Sequence, residues 1–125
     1  MTQGVGTPIY MAPEMLRGEK RYTRAVDVFS FGIMCVELWN EKLPYSEVQF
    51  DNMVAFFMHV MGNNLPKIRD DCPYDLVILI TECCAADKTI RPSFTTLLKD
   101  LVPIVDTAKS SVKDADHVHC RKNQS

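Results

Sequence analysis

Two features of this sequence could take part in chemistry. The run GTPIYMAPE, residues 6–14, carries the hydroxyl groups of Thr7 and Tyr10 in a stretch whose glycine and prolines indicate a loop. Asp27 interrupts a long apolar run, where an unpaired carboxylate would be costly or would take up a proton. The first pattern predicts a loop that carries two hydroxyl groups. The second predicts that Asp27 needs a hydrogen-bonding partner.

The cysteine and histidine residues do not predict a metal site. The five cysteines include an adjacent pair, Cys83 and Cys84, but no CxxC pair, so neither a disulfide framework nor a zinc site is favoured. Buried free thiols in a reducing compartment fit this pattern better. His117, His119 and Cys120 could chelate a metal, but such residues in a polar tail are more often solvated. We therefore predict no bound metal for this chain.

Composition excludes several classes of protein. The chain has 125 residues, 46% of them hydrophobic and 24% charged, which suits one globular domain. The formal net charge of -2 and the absence of a basic run argue against nucleic-acid binding. Charged and amide residues interrupt every apolar stretch, so no membrane span is predicted. The N-terminal residues lack the basic and apolar regions of a signal peptide.

Hydrophobic periodicity predicts four helices and no strand. Residues 23–39 are apolar on every side, which predicts a helix buried all round. Residues 51–61 form a second helix, with Asp51 as N-cap and Gly62 as its stop. A third helix follows from Leu76, Leu79, Ile80 and Cys83, and a fourth begins at Ser93 and ends at Pro103. We expect residues 106–125 to form a polar C-terminal tail.

Several motifs, in order, resemble the C-terminal part of a eukaryotic protein kinase domain. They are Ala12-Pro13-Glu14, the run YTRAVDVFSFG at residues 22–32, LPY at 43–45, and CPYDLVILITECCAADKTIRPSF at 72–94. Gly6-Thr7 with Tyr10 is similar to the substrate loop of serine/threonine kinases, because tyrosine kinases usually carry proline and tryptophan at the positions of Thr7 and Tyr10. The segment ECC...RPSF resembles tyrosine-kinase-like serine/threonine kinases. The resemblance implies an all-α, partial kinase C-lobe over residues 1–105.

The resemblance also implies roles for residues of the loop. The substrate loop comprises Gly6, Thr7, Pro8 and Tyr10, and the Thr7 hydroxyl would hydrogen-bond the catalytic aspartate and align the acceptor. A loop threonine that caps a local turn is the alternative for Thr7. Thr2 stands where activation-loop phosphorylation often occurs, although a solvated terminal threonine is the simpler interpretation.

Other motif residues are expected to be structural. They are Ala12, Pro13, Glu14, Asp27, Gly32 and Arg91. The family pairs Glu14 with Arg91 in a buried ion pair, and places Asp27 where it accepts backbone hydrogen bonds from the catalytic loop. The helix at residues 51–61 corresponds to a family segment that often docks partners, which makes Met53, Phe56, Phe57 and Val60 candidate docking residues. Ordinary packing is an equally good interpretation of that helix.

The motifs that bind and activate ATP do not occur in the sequence. We find no G-x-G-x-x-G over phosphates, no strand lysine, no H-R-D-x-x-x-x-N and no D-F-G. The preferred interpretation is the C-terminal piece of a cytoplasmic Ser/Thr kinase whose parent uses ATP and Mg to phosphorylate protein substrates. This chain alone would need no cofactor and would be inactive. The alternatives are a non-catalytic docking module and a decayed gene fragment.

Overall fold

The fold is helical throughout the part of the chain that the structure describes. The computed structural model describes residues 8–21 and 23–107, and these ranges contain five helices and no strand. They are α1 (Pro13–Leu16), α2 (Ala25–Asn40), α3 (Met53–Met61), α4 (Tyr74–Cys83) and α5 (94–107). The predicted all-α class is confirmed, and α1 is a short helix that the periodicity did not predict.

The main core lies where α2 packs against α4. The buried residues Phe29, Ile33 and Val36 of α2 meet Leu79 and Ile80 of α4. Gly32 lets the two helices approach closely, since a Cβ built on it would lie 2.5 Å from Cys84 Sγ and 2.9 Å from Cys83 Cβ. The glycine in the middle of α2 is therefore required by packing, in spite of its low helix propensity.

A second, smaller core forms around α3. Tyr45, Phe56 and Val60 are buried together, and Ile9 and Leu16 pack against them from the N-terminal loop and α1. Asn52 caps α3, because its side-chain oxygen accepts a hydrogen bond from the Ala55 amide at 2.8 Å. Asp51 was predicted for this position, so the observed cap lies one residue further on. The predicted stop at Gly62 is confirmed.

The last helix begins as predicted but ends later. Ser93 caps α5, with its hydroxyl oxygen 3.2 Å from the Thr96 amide. The helix continues through Pro103 to residue 107, where the described range stops, so the prediction that Pro103 ends it is wrong. Proline removes one backbone donor and disfavours an α-helical residue before it, which made an end there plausible. In this helix, apolar Leu101 and Ile104 on either side of the proline pack against the core.

Only one side of α2 is buried, so the described residues do not supply all of the cover that its all-round apolar sequence predicts. Its other side carries Met34 and Leu38, which are 50% and 74% exposed, with Phe31 half-buried beside them. At about 100° per residue these three side chains form one stripe, and Asp27 lies at its N-terminal end. We call this the α2 stripe. Within the described ranges, no element covers it.

None of the helices that the structure describes is both long and apolar enough to cross a membrane.

Candidate functional site

The candidate site is the loop that leads into α1. From Pro8 to Ala12 the chain turns, with the Met11 amide donating a hydrogen bond to the Pro8 carbonyl at 3.2 Å. Pro8 and Ala12 are buried, and Met11 is exposed. Pro13 then occupies the first turn of α1, where a missing amide hydrogen costs nothing. The loop is therefore anchored at both ends and exposes the side chain of Met11 to solvent.

Two side chains of α2 hold the middle of the loop. The Ser30 hydroxyl donates a hydrogen bond to the Tyr10 carbonyl at 2.7 Å, and the Tyr10 hydroxyl donates one to the Glu37 carboxylate. This bond, together with burial and the negative charge of Glu37, raises the pKa of Tyr10 to about 12. The phenol therefore stays protonated at neutral pH and acts as a fixed hydrogen-bond donor.

Ser30 and Glu37 were not singled out from the sequence. They are seven positions apart, so they lie two turns apart on the same side of α2. That spacing of polar residues in an apolar helix is the signal that could have found them. It marks the side of α2 on which the loop lies.

An ion pair joins the end of the loop to the segment between α4 and α5. Glu14 and Arg91 are 77 positions apart, and the two terminal nitrogens of Arg91 donate to the two carboxylate oxygens of Glu14 at 2.7 and 2.9 Å. Both side chains are buried. The bidentate geometry satisfies both carboxylate oxygens, as a buried charge requires.

Arg91 also binds two backbone carbonyls. Its Nε donates to the Ala85 carbonyl at 2.9 Å, and Nη1 donates to the Ala25 carbonyl at 3.0 Å. The guanidinium carbon lies 5.1 Å from the centroid of the Phe29 ring, within cation–π range. One side chain thus connects α1, the start of α2 and the loop after α4.

Burial and hydrogen bonding act in opposite directions on Glu14. Burial alone would raise the pKa of its carboxyl group, but the hydrogen bonds and positive charge of Arg91 outweigh burial and hold the pKa below its usual value. The carboxylate is therefore charged at neutral pH. An ionised Glu14 is the form that the bidentate contact needs.

Asp27 lies exposed at the start of α2. Within the described residues its carboxylate has no hydrogen-bond or ion-pair partner. Exposure removes the cost of the charge, so the expected conflict with an apolar environment does not arise in this chain. The partner predicted for Asp27 is not among the described residues.

Of the four candidate docking residues on α3, Met53 is exposed and the other three are buried or half-buried. Phe56 and Val60 are buried and Phe57 is half-buried, so they hold α3 against Tyr45 and cannot form a docking surface. Met53 is exposed, as are Val54 and Met58, the latter by 67%. The surface that α3 offers therefore consists of Met53, Val54 and Met58.

The thiols of the core are not placed for nucleophilic chemistry. Burial raises the pKa of Cys35 to about 11 and that of Cys83 to about 12, so both are protonated at neutral pH. The described residues contain no cluster of three or more potential metal ligands. His117, His119 and Cys120 lie outside the described residues, as do Thr2, Gly6 and Thr7.

Comparison with known proteins shows which family this chain belongs to. The family model described as protein kinase domain matches residues 1–102. A probable serine/threonine-protein kinase of Dictyostelium discoideum is 43% identical over 99 residues, which are 78% of this chain and 10% of the relative. A putative serine/threonine-protein kinase/receptor of Acanthamoeba polyphaga mimivirus is 39% identical over 105 residues, 84% of this chain and 6% of the relative.

A third relative is named as a dual specificity kinase and not as a serine/threonine kinase. The dual specificity protein kinase pyk3 of Dictyostelium discoideum is 37% identical over 98 residues, 78% of this chain and 7% of the relative. The chain belongs to the protein kinase family. It spans a tenth or less of the length of these three curated relatives.

Proposed function

We propose that this chain is the substrate-binding part of the C-terminal lobe of a Ser/Thr protein kinase of the tyrosine-kinase-like group. The observation that carries the proposal is the attachment of the loop at residues 8–14 to the helical body through Tyr10–Glu37 and Glu14–Arg91. The parent protein transfers the γ-phosphate of ATP, bound with Mg, to a serine or threonine hydroxyl of a protein substrate.

The anchoring of the loop suits this reaction. Phosphoryl transfer depends mostly on positioning and on stabilising charge, so the loop that receives the substrate has to be held still. Buried, bidentate hydrogen bonds resist displacement better than exposed contacts do. In this proposal Thr7 aligns the acceptor hydroxyl, and Gly6 and Pro8 shape the loop.

Two exposed apolar surfaces support the proposal that this chain is part of a larger protein. The first is the α2 stripe. The second lies on α5, where Phe94, Leu98 and Val102 are exposed, Leu98 by 62%. Contiguous exposed apolar surface is unusual on a soluble monomer and marks a missing partner. We assign both surfaces to contacts with the preceding part of the kinase domain, and Asp27 to hydrogen bonds with its catalytic loop.

The proposal gives the isolated chain no catalytic activity. Its sequence contains neither the glycine-rich phosphate loop nor the metal-binding aspartate of D-F-G, so we expect it to bind neither ATP nor Mg on its own. Its chemistry depends on residues encoded elsewhere in the parent. We place the parent in the cytoplasm, where free thiols such as Cys83 and Cys84 stay reduced.

The deciding experiment is to read the coding sequence upstream of Met1 from the transcript. An in-frame strand lysine, H-R-D-x-x-x-x-N and D-F-G are expected. In the protein encoded by that longer frame, Thr7→Ala should lower phosphorylation of a protein substrate by about 10²-fold, because the acceptor loses its alignment. Thr7→Ser keeps the hydroxyl and serves as the matched control. Equal activity of the two variants would contradict the role of Thr7.

A docking module is the second candidate, favoured by the exposed Met53, Val54 and Met58 on α3. If translation starts at Met1, the protein lacks the motifs that bind ATP, and docking is then the preferred function over phosphoryl transfer. Met58→Lys should then reduce partner binding more than Glu41→Lys, which changes an exposed residue outside α3. An antibody that detects no protein product from the gene would instead support the decayed gene fragment.

A further inference from the structure

A groove runs between α4 and α5 on the outer side of the main core. Its volume is about 310 Å³. From α4 it is lined by Asp75, Ile78, Leu79 and Glu82, which recur at i, i+3, i+4 and i+7 and so lie along one side of that helix. From α5 it is lined by Lys99, Asp100, Pro103 and Ile104. We call it the α4–α5 groove.

The groove combines an apolar floor with an acidic rim. Leu79 is buried, Ile104 is half-buried and Ile78 is 39% exposed, so apolar surface is accessible at its centre. Three carboxylates against one ammonium group, that of Lys99, leave a net charge of -2 around it. None of these four charged groups forms an ion pair with any described residue.

The groove does not coincide with the apolar surfaces assigned to the rest of the kinase domain. At about 100° per residue, Phe94, Leu98 and Val102 lie on one side of the buried Leu97. Lys99, Asp100 and Pro103 lie on its other side. A partner that covers the first side of α5 therefore leaves the groove open.

We propose that the α4–α5 groove docks a basic, amphipathic helical segment of a partner protein. Lysine or arginine side chains of the segment pair with the carboxylates on the rim, and apolar side chains between them enter the groove. Charge complementarity favours this class of partner, because the net negative charge of the groove attracts a basic segment and repels an acidic one. The mode of binding is that of a helix in a groove.

The spacing of the rim predicts the pattern of the partner. Asp75 and Glu82 are seven positions apart, which is about 10.5 Å along α4. A helix lying along α4 matches this spacing with two basic residues that are also seven positions apart. Its apolar residues fall at the third and fourth positions between them, opposite Ile78 and Leu79.

The test uses the 125-residue chain and a fluorescent synthetic peptide of about 18 residues, long enough to form a helix. The peptide carries lysines seven positions apart with leucines at the third and fourth positions between them. A scrambled peptide of the same composition is the control. We expect saturable binding, measured by fluorescence anisotropy, that weakens as salt is raised. Absence of saturable binding of the patterned peptide below about 1 mM, or equal binding of the two peptides, overturns the proposal.

Single substitutions test whether the peptide binds in the α4–α5 groove. Glu82→Gln and Asp100→Asn should each weaken binding of the patterned peptide by about 2- to 5-fold, as expected for exposed ion pairs. Ile78→Asn should weaken it further, because it removes apolar surface from the floor of the groove without changing the net charge. Asp70→Asn removes an exposed carboxylate outside the groove and should leave binding unchanged. An equal effect of Asp70→Asn and Glu82→Gln would show non-specific attraction and overturn the site.

Two other occupants are distinguished in the same experiment. If Ile78→Asn converts a dimer to a monomer in analytical ultracentrifugation, the occupant is a second copy of the chain. If replacing Lys109 and Lys113 by Gln in the full chain tightens peptide binding, the occupant is the chain's own C-terminal segment. Either result overturns docking of a partner protein.

Discussion

Glu14 and Arg91, at opposite ends of the described chain, form a buried bidentate ion pair at 2.7 and 2.9 Å. This pair attaches the end of the loop at residues 8–14 to the segment between α4 and α5. Four of the hydrogen bonds in this region come from the single side chain of Arg91. The position of the loop is therefore expected to be sensitive to Arg91.

Replacing Arg91 should destabilise the protein more than replacing any exposed arginine. Arg91→Ala leaves Glu14 charged and unpaired in the interior, so we expect the free energy of unfolding to fall by about 3–5 kcal/mol in urea denaturation. Arg69 forms an exposed pair with Asp71, so Arg69→Ala should change the free energy of unfolding far less than Arg91→Ala does. An unchanged midpoint for Arg91→Ala would contradict the importance of the pair.

The stabilisation from Glu14 should depend on acid pH. Its folded pKa lies below the ordinary value of 4.5, so the stabilisation is fully present above about pH 4.5. It is lost as the pH falls through the lowered folded pKa, because the carboxylate is then protonated in both states. The difference in unfolding free energy between the wild type and Glu14→Gln should be constant from pH 7 to about pH 5 and shrink below it. A difference that stays constant down to pH 3 would exclude Glu14 as the group responsible.

Two tyrosines should respond differently to loss of their hydroxyl groups. Tyr10→Phe removes the hydrogen bond to Glu37 and should lower the free energy of unfolding by about 1.5 kcal/mol. The buried Tyr45 hydroxyl has no hydrogen-bond partner among the described residues. Tyr45→Phe should therefore leave stability unchanged or raise it by about 1 kcal/mol. Urea denaturation of both variants checks this, and equal losses would contradict it.

Close packing at Gly32 predicts a steric effect that a second substitution relieves. Gly32→Ala places a methyl group 2.5 Å from Cys84 Sγ, and we expect a loss of about 1–3 kcal/mol. Cys84→Ala removes that sulfur, so the double variant should lose less than the sum of the single losses. Thermal unfolding of the four proteins in this cycle measures the coupling. Strict additivity would show that Gly32 and Cys84 do not limit the approach of α2 to α4.

The α2 stripe should make the isolated chain bind a hydrophobic dye. Replacing Met34 and Leu38 together by Gln should lower the dye fluorescence and change the free energy of unfolding by less than about 1 kcal/mol, because both side chains are largely exposed. Glu41→Gln, just beyond the same helix, is the control. Unchanged fluorescence in the double variant would show that the dye binds elsewhere.

Part of this fold follows from local sequence. The helical class, the Gly62 stop and the Ser93 cap are confirmed, because apolar periodicity and capping chemistry act over a few residues. The pairing of Glu14 with Arg91 was expected from family resemblance, and its geometry is that of a buried bidentate contact. The single-residue shift from Asp51 to Asn52 lies within the usual uncertainty of helix ends.

Packing between segments that are distant in the sequence decided which apolar side chains are buried. Local sequence shows that α2 is apolar all round, but only the positions of α4 and the loop determine which side is buried and that Met34 and Leu38 face solvent. The same holds for α3, where contact with Tyr45 buries Phe56 and Val60 and leaves Met58 exposed. Apolar character reports that a side chain favours burial, whereas the elements that pack against it decide whether burial occurs.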